Sequence, residues 1–472
     1  MNPLSKNRNQ TLTISRRHAS RQWMIRSSLA RCFGSGFISY PVVIFLAATH
    51  DLKGGGFLIG FCIGLILALP NLFGVLRVFT PVMISKIGNR KLFCILAFFL
   101  EILSLGAMIY FGRPDFLSKT AALVCITAFW CLAKLAEYCG WVALSAWTGD
   151  IFPEKTRGRF FGIREFRRLS GEFFSVFICT ILTIWWWSLA SPYAGRVSDY
   201  YVYALMVMLG AFSFAVGTLM LLPVADIPND KSGEQSSAEN SPDRKAETVT
   251  ARGIFRELAA PFRDPGFRIF LFYCAFFSFV TQLEQVFQTL YPAKFFAGIT
   301  PLLMVLWFRL VVRGGQILFC EWAGKKVDRY GAMPIMVIAQ FLTALGPLFY
   351  FFANLDTWWL LFGAHFCFIA YVGLNVGLPQ AQLQFSPPGK GAVWIACYGA
   401  VGGFLGFCGA LLSGYLYTTF FADADFSVPI LPGHPILKYV YLIQIPFLIS
   451  FIFRITAGFL LMRVKPRRPE TV

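Results

Sequence analysis

Gly324-Lys325-Lys326-Val327-Asp328-Arg329-Tyr330-Gly331 is a short charged stretch, bounded by glycines and set between two long apolar runs at about 297–322 and 332–352. Glycine at each end permits a turn tight enough to join two neighbouring helices. An aspartate there can accept from backbone N–H groups at a helix start or pair with an arginine. The flanking runs have the length a span needs, roughly 20 residues for a hydrocarbon core of about 30 Å. The same alternation of apolar run and polar joint extends in both directions along nearly the whole chain.

Upstream, spans are predicted at about 29–49, 56–82, 92–111, 120–147, 168–188 and 201–223. After a polar stretch come 268–291, 297–322, 332–352, 357–380, 392–420 and 437–462. The polar stretch carries Asn229-Asp230, Lys231-Ser232-Gly233 and Ser241-Pro242-Asp243-Arg244-Lys245, the composition of a flexible linker. The expected organisation is a basic tail 1–28, a six-helix bundle 29–223, a linker 224–267, a second six-helix bundle 268–462 and a basic tail 463–472. Composition agrees: 57% hydrophobic, 14% charged and mean hydropathy +0.61 lie outside the range of soluble domains. Long unbroken apolar runs, rather than short alternating ones, satisfy the backbone within helices and exclude a β-barrel. The fold class is an all-α membrane protein of about 12 transmembrane helices in two pseudo-symmetric bundles.

The net charge of +18 is a matter of topology rather than nucleic-acid binding. Most Lys and Arg fall on the side of the tails and linker. The opposite side holds only Lys53, Arg113, Lys119, Arg196, Lys294 and Lys438, which places both termini in the cytoplasm. The N-terminal residues lack the apolar core and cleavage site of a secretory signal. Twelve cysteines without CxxC spacing read as buried small hydrophobes, so neither disulfide nor metal is expected, and no cofactor.

The second half repeats local patterns of the first. Tyr40-Pro41 corresponds to Tyr291-Pro292, Ser85-Lys86-Ile87-Gly88 to Asp328-Arg329-Tyr330-Gly331, and Arg157-Gly158 to Lys390-Gly391, in preserved order.

The 324–331 stretch resembles the G-x-x-x-D-R-x-G loop of the major facilitator superfamily, and the span count and repeat fit the same family. The first-half counterpart departs from the pattern with Pro81, Ser85 and Lys86, while Gly88, Arg90 and Lys91 fit. Asp150 to Gly162, with Pro153 and Arg157-Gly158-Arg159, also looks like the family's joint between spans 4 and 5. The resemblance implies a transporter working by alternating access. It also implies that the loop bearing Gly324, Asp328, Arg329 and Gly331 meets the cytoplasmic start of span 5. There Arg157, Arg159, Arg164, Arg167 and Arg168 cluster with Glu165 and Glu172. Gly88, Arg90, Arg157, Gly158 and Arg164 join that loop as an expected cytoplasmic gate, against the plainer reading of positive-inside topology and helix capping.

Ionisable groups at mid-span depth are costly and mark a pathway by default. Lys134 and Glu137 lie three apart in span 4 and share a face. Glu284 lies in span 7, Arg309 and Arg313 in span 8, Arg77 and Arg454 in spans 2 and 12, and Glu101 in span 3. The resemblance implies that spans 1, 4, 7 and 10 line a central cavity. Lys134, Glu137, Glu284, Arg309, Arg313 and Asn375 are therefore the expected solute and proton pathway, with Arg309 facing Glu284. Lys134-x-x-Glu137 loosely resembles the R-x-x-Q-G pattern of proton-coupled members, though a fixed ion pair is the alternative. Gln282, Gln285, Gln288, Gln380, Gln382 and Gln384 offer donors and acceptors to a polar solute or to neighbouring helices.

The sequence points to a secondary transporter for a small polar solute, with proton-coupled symport suggested, in a bacterial inner membrane, as a monomer. Alternatives are a lipid or lysolipid translocator of the same fold, a non-transporting sensor, or a membrane-embedded enzyme. No P-loop is present to use ATP, and the histidines His18, His50, His365 and His434 form no catalytic constellation with a nucleophile or carboxylate pair.

Overall fold

The structure is a computed structural model describing residues 14–39, 42–43, 46, 65–66, 68–113, 115–151, 157–193, 200–225, 259–295, 301–354, 356–386, 391–421, 427–429 and 439–464. Tyr40-Pro41, Lys390 and most of the linker therefore lie outside the described residues.

The first half contains α1 (Ile14–Phe37), α2 (Thr80–Ile87, preceded by a 3₁₀ turn Val75–Phe79), α3 (Arg90–Phe111), α4 (Lys119–Ile151), α5 (Arg157–Tyr193) and α6 (Tyr200–Leu219). The second contains α7 (Pro265–Phe295), α8 (Pro301–Tyr330), α9 (Ala332–Phe352), α10 (Leu360–Phe368), α11 (Tyr371–Phe385), α12 (Gly391–Leu416) and α13 (Ile445–Met462). Helices α10 and α11 together form span 10. A two-stranded antiparallel ribbon pairs Ser427–Pro429 with Tyr439–Tyr441 in the joint before α13.

Among the described residues ten helical segments are long and apolar enough to cross a membrane, and α1 and α8 complete twelve. Helix α1 begins at Ile14 rather than at residue 29, and its first turns are basic. That segment is packed rather than free: Ser20, Met24 and Ser27 are buried, and Ser27 Oγ donates to Gly217 O at 2.7 Å. Helix α8 carries Arg309, Arg313 and Gln316 within its length.

The two halves repeat one packing scheme. Helix α1 packs on α5 and α6 as α7 packs on α12 and α13, and α3 on α4 and α6 as α9 packs on span 10 and α13. At one end Lys91 Nζ donates to Leu222 O and Val224 O, and the Trp147 indole donates to Ala225 O. The starts of α1 and α3 and the ends of α4 and α6 thus gather together. The outer faces bear Phe99, Leu103, Phe212 and Leu318, as a lipid-facing surface requires.

Both tight joints of the repeat turn on a positive-φ glycine. Gly88 (φ 75°) ends α2, donating to Ile84 O, and Gly331 (φ 87°) stands between α8 and α9, donating to Val327 O. Asn89 then caps α3 by accepting from Leu92 N at 2.8 Å, with Arg90 as the helix's first residue.

Across the halves, α5 runs antiparallel to α8, and the 3₁₀ turn before α2 lies on α12. These are symmetry-related contacts, spans 5 with 8 and 2 with 11. Glycines allow the approach: a Cβ on Gly162 would come within 3.2 Å of the Gly324 backbone, and one on Gly403 within 2.8 Å of Asn71 O. The joint of the quoted stretch therefore meets the first turns of α5. Arg157 and Gly158 open α5, but their surroundings lie outside the described residues.

Candidate solute-binding site

Helix α4 supplies a polar stripe at helical spacing: Lys134, Glu137, Tyr138 and Trp141 occupy positions i, i+3, i+4 and i+7. Lys134 Nζ donates to Glu137 Oε2 at 2.7 Å, and the ammonium also lies 4.5 Å from the Trp130 ring centroid. The pair is part open, with side chains 16% and 21% exposed. Two guanidinium groups from other elements cover the rest of the stripe. Arg77 lies 4.2 Å from the Tyr138 ring centroid, and Arg164 of α5 lies 5.4 Å from that of Trp141. Cationic groups on ring faces are favourable, more so where water is scarce.

Beside this stripe the halves are joined through charge. Glu172 Oε1 of α5 accepts from Arg313 Nε of α8 at 2.9 Å. Arg313 Nη1 also donates to Gln316 Oε1 at 2.7 Å, and Gln316 Nε2 donates to Phe368 O at 3.3 Å. That carbonyl is available because span 10 breaks there: Ile369, Ala370, Val372 and Gly373 make 3₁₀-type bonds to Phe366, Cys367, Ile369 and Ala370. One chain of polar contacts thus links α5, α8 and the break between α10 and α11. Arg309, one turn from Arg313, lies within electrostatic reach of Glu172.

Glu284 is placed elsewhere than expected. It is 0% exposed, and its partners are Gln288 of its own helix and Ser450 and Arg454 of α13, with Arg454 Nη2 at 2.9 Å. The pairing of Glu284 with Arg309 is replaced by one with Arg454, because that face of α7 turns toward α13. The first half contains a counterpart: Arg31 of α1 donates to Glu101 of α3 and to Thr218 Oγ1 of α6, with the guanidinium over Phe98. Each bundle therefore holds a closed ion pair in its own packing.

Asn375 lies part-buried on α11, and the chain of contacts through Gln316 touches its span at Phe368, seven residues away. Asp328 and Arg329 are exposed at the end of α8, and Gly324 is buried against α5. His365 is a packing residue: its Nδ1–H donates to Leu361 O at 2.6 Å and the ring stacks on Phe308. Sequence reasoning did not select Arg31, Arg77 or Glu172 as partners in these contacts. For Arg77 the signal was present, an arginine in the middle of an apolar run.

Two bundles of six helices related by a packing repeat, with charged side chains where they meet, define a polytopic membrane protein of the transporter class. The profile of the Major Facilitator Superfamily matches residues 27–406, and the chain belongs to that family. It is a transporter rather than an enzyme, and an integral multi-pass membrane protein. The fold is similar to that of the human organic anion transporter MFSD10 (13% identity, TM-score 0.63, covering 94% of this chain and 99% of that one). It is likewise similar to the xylose transporter XylE from E. coli, in a partially occluded inward-open conformation (14%, 0.63, 97% and 100%). The nucleoside transporter NupG is a third such structure (13%, 0.55, 94% and 98%). Among curated protein sequences none matches.

Proposed function

We propose that the chain is a secondary transporter that moves a small polar solute by alternating access, with Glu137 as the carrier of a coupling proton. The observation that carries this reading is the part-open Lys134–Glu137 pair on the α4 stripe, whereas Glu101 and Glu284 are closed off in their own bundles. A carboxylate that solvent can reach from a cavity, with a lysine whose pairing can change as the halves move, suits reversible protonation. Lys134, Arg309, Arg313 and Asn375 complete the proposed pathway, and Glu284 supports it by holding α7 against α13. The Gly324–Gly331 joint on the start of α5, with Asp328, is the proposed gate at the cytoplasmic side. Both termini and the linker share that side by the distribution of Lys and Arg, and the short joints between spans favour a bacterial inner membrane.

The test is uptake into proteoliposomes of labelled sugars, nucleosides and carboxylates, with and without an imposed proton gradient. Gradient-driven uptake that Glu137→Gln abolishes supports the reading. Uptake indifferent to both the gradient and Glu137→Gln removes the proton from it, and absence of any flux removes transport of these solutes.

A further inference from the structure

Five interior cations, Arg31, Lys134, Arg168, Arg313 and Arg454, each hold a carboxylate. Among the described residues, none lies within ion-pair distance of Arg77. The sequence explains how the side chain is presented. Pro81 has no N–H to give to the carbonyl of Arg77, so Thr80 N–H serves it instead, and the chain tightens into the 3₁₀ turn Val75–Phe79 with Arg77 at its centre. Arg77 Nε donates to Gly74 O at 2.7 Å, which fixes the root of the guanidinium.

One side of the guanidinium lies against Tyr138 of α4. Another lies against α12, where only glycine leaves room. A Cβ on Gly399 would sit 2.8 Å from Arg77 Cδ and Nη1, and one on Gly403 would sit 3.2 Å from Nη2. The group is held between an aromatic ring and bare backbone. Its terminal nitrogens find no described acceptor, and the residue is only part-buried. Glu137 is within electrostatic reach but beyond ion-pair distance, and it is already held by Lys134. Along the α4 stripe, Arg77, Lys134 and Arg164 have one described carboxylate on the stripe itself, Glu137, while the neighbouring Glu165 and Glu101 are already paired with Arg168 and Arg31.

An arginine at the centre of a span is costly to insert, so its retention without a counter-charge among the described residues calls for a use. Guanidinium presents a planar fork of donors matched to carboxylate and phosphate oxygens, and here the fork is positioned and unoccupied by protein. We infer that Arg77 binds an anionic group, carboxylate or phosphate, of the solute that this protein carries, with the positive surplus of the α4 stripe favouring anions over neutral compounds. The inference rests on the transporter reading and narrows its substrate class.

Binding and flux are to be measured separately. Purified full-length protein in detergent is titrated with succinate, benzoate and methyl phosphate, with glucose and uridine as neutral probes, following Trp fluorescence, since Trp130 and Trp141 flank the stripe. At least one anion is expected to give a saturable response. Arg77→Gln is expected to weaken it by about tenfold to a hundredfold, the loss of a charge-assisted bidentate contact, and Arg77→Lys by less. Glu137→Gln, which removes a neighbouring negative charge, is expected to tighten it. A response to neutral probes only, no response to any anion, or an anion response unchanged in a folded Arg77→Gln protein would each overturn the inference. Should Arg77→Gln fail to fold, Arg77→Lys and Glu137→Gln decide by the same measure. Lysophosphatidylglycerol is the arm for a lipid source: an Arg77-dependent response to it alone assigns the site to a headgroup and removes the solute. Anion binding without flux in proteoliposomes removes transport while leaving the anion site, whereas flux of neutral solutes without anion binding does the reverse.

Discussion

Glu172 on α5 and Arg313 on α8 join the two halves of the protein through a 2.9 Å ion pair well inside the spans. Their side chains are 7% and 23% exposed, so removal of one partner leaves the other in poor solvent. Part exposure of Arg313 keeps the expected cost below the about 3–5 kcal/mol of a fully buried pair. Glu172→Gln and Arg313→Gln are each expected to lower the melting temperature and to depopulate the conformation in which α5 and α8 touch here. The measurement is thermal unfolding together with disulfide trapping of cysteine pairs placed on α5 and α8. The charge-swapped double variant should recover much of both effects; a swap no better than either single change would show that the pair contributes little.

The Arg31–Glu101 pair belongs to the packing of the first bundle. With side chains 4% and 2% exposed, it is cut off from water, and Arg31 is further enclosed by Phe98 and Phe214. Glu101→Gln should destabilise by about 3–5 kcal/mol, since it strands a buried guanidinium. Replacing both members with apolar residues of similar volume should cost much less. Glu284→Gln should behave alike through Arg454. Uptake per folded molecule should change far less in these variants than in Glu137→Gln, and equal loss of uptake in Glu101→Gln would place Glu101 in the pathway after all.

Gly88 and Gly331 occupy matching joints of the repeat but different backbone regions. Gly88 has φ 75° and ψ −8°, which asparagine also tolerates, whereas Gly331 has φ 87° and ψ 165°, a region open to glycine alone. A Cβ at either would meet nothing within 4 Å, so conformational strain is isolated from packing. Gly88→Asn should therefore be nearly neutral, Gly88→Ala should cost about 1–2 kcal/mol, and Gly331→Ala or Gly331→Asn about 1–3 kcal/mol. Denaturant unfolding of the purified variants checks the order. Equal effects of asparagine at both sites would contradict it.

What the sequence disclosed, and what it concealed, divides by distance along the chain. Spans were legible because the bilayer imposes length and apolarity on each separately. The Lys134–Glu137 contact was legible because three residues on a helix are neighbours in space. The Gly324–Gly331 joint was legible because a glycine-bounded turn is local, and the repeat located it a second time. Arg31 was not seen as a partner of Glu101, nor Arg454 of Glu284, because these contacts depend on which face of each helix turns inward. Hydropathy does not fix that rotation when lipid and protein interior are equally apolar. The basic first turns of α1 concealed its early start for a related reason: charge near a membrane end reads as tail whether or not the helix continues through it.

Helix α12 offers a test of the Arg77 arrangement that leaves Arg77 itself in place. At Gly399 an added methyl would collide with Arg77 Cδ, Nη1 and Cζ at 2.8–2.9 Å, closer than real Cβ contacts come. The arginine can relieve the overlap by swinging off Tyr138, so the fold should survive while the donor fork moves. At Gly402, one turn along, the methyl would meet only Ser278 Oγ at 3.2 Å, which a rotation about χ1 relieves. At Gly409 it would run into Phe279 O, a backbone atom of α7 at 2.3 Å, which can give way only if the helices separate. Three alanines on one helix should therefore separate three outcomes. Gly402→Ala should resemble wild type; Gly399→Ala should stay folded with uptake reduced about tenfold, as a displaced charge-assisted contact implies; and Gly409→Ala should lower the melting temperature first. Uptake and thermal unfolding measured side by side check this ordering, and a fully active Gly399→Ala protein would mean that the position of the Arg77 guanidinium does not matter to transport.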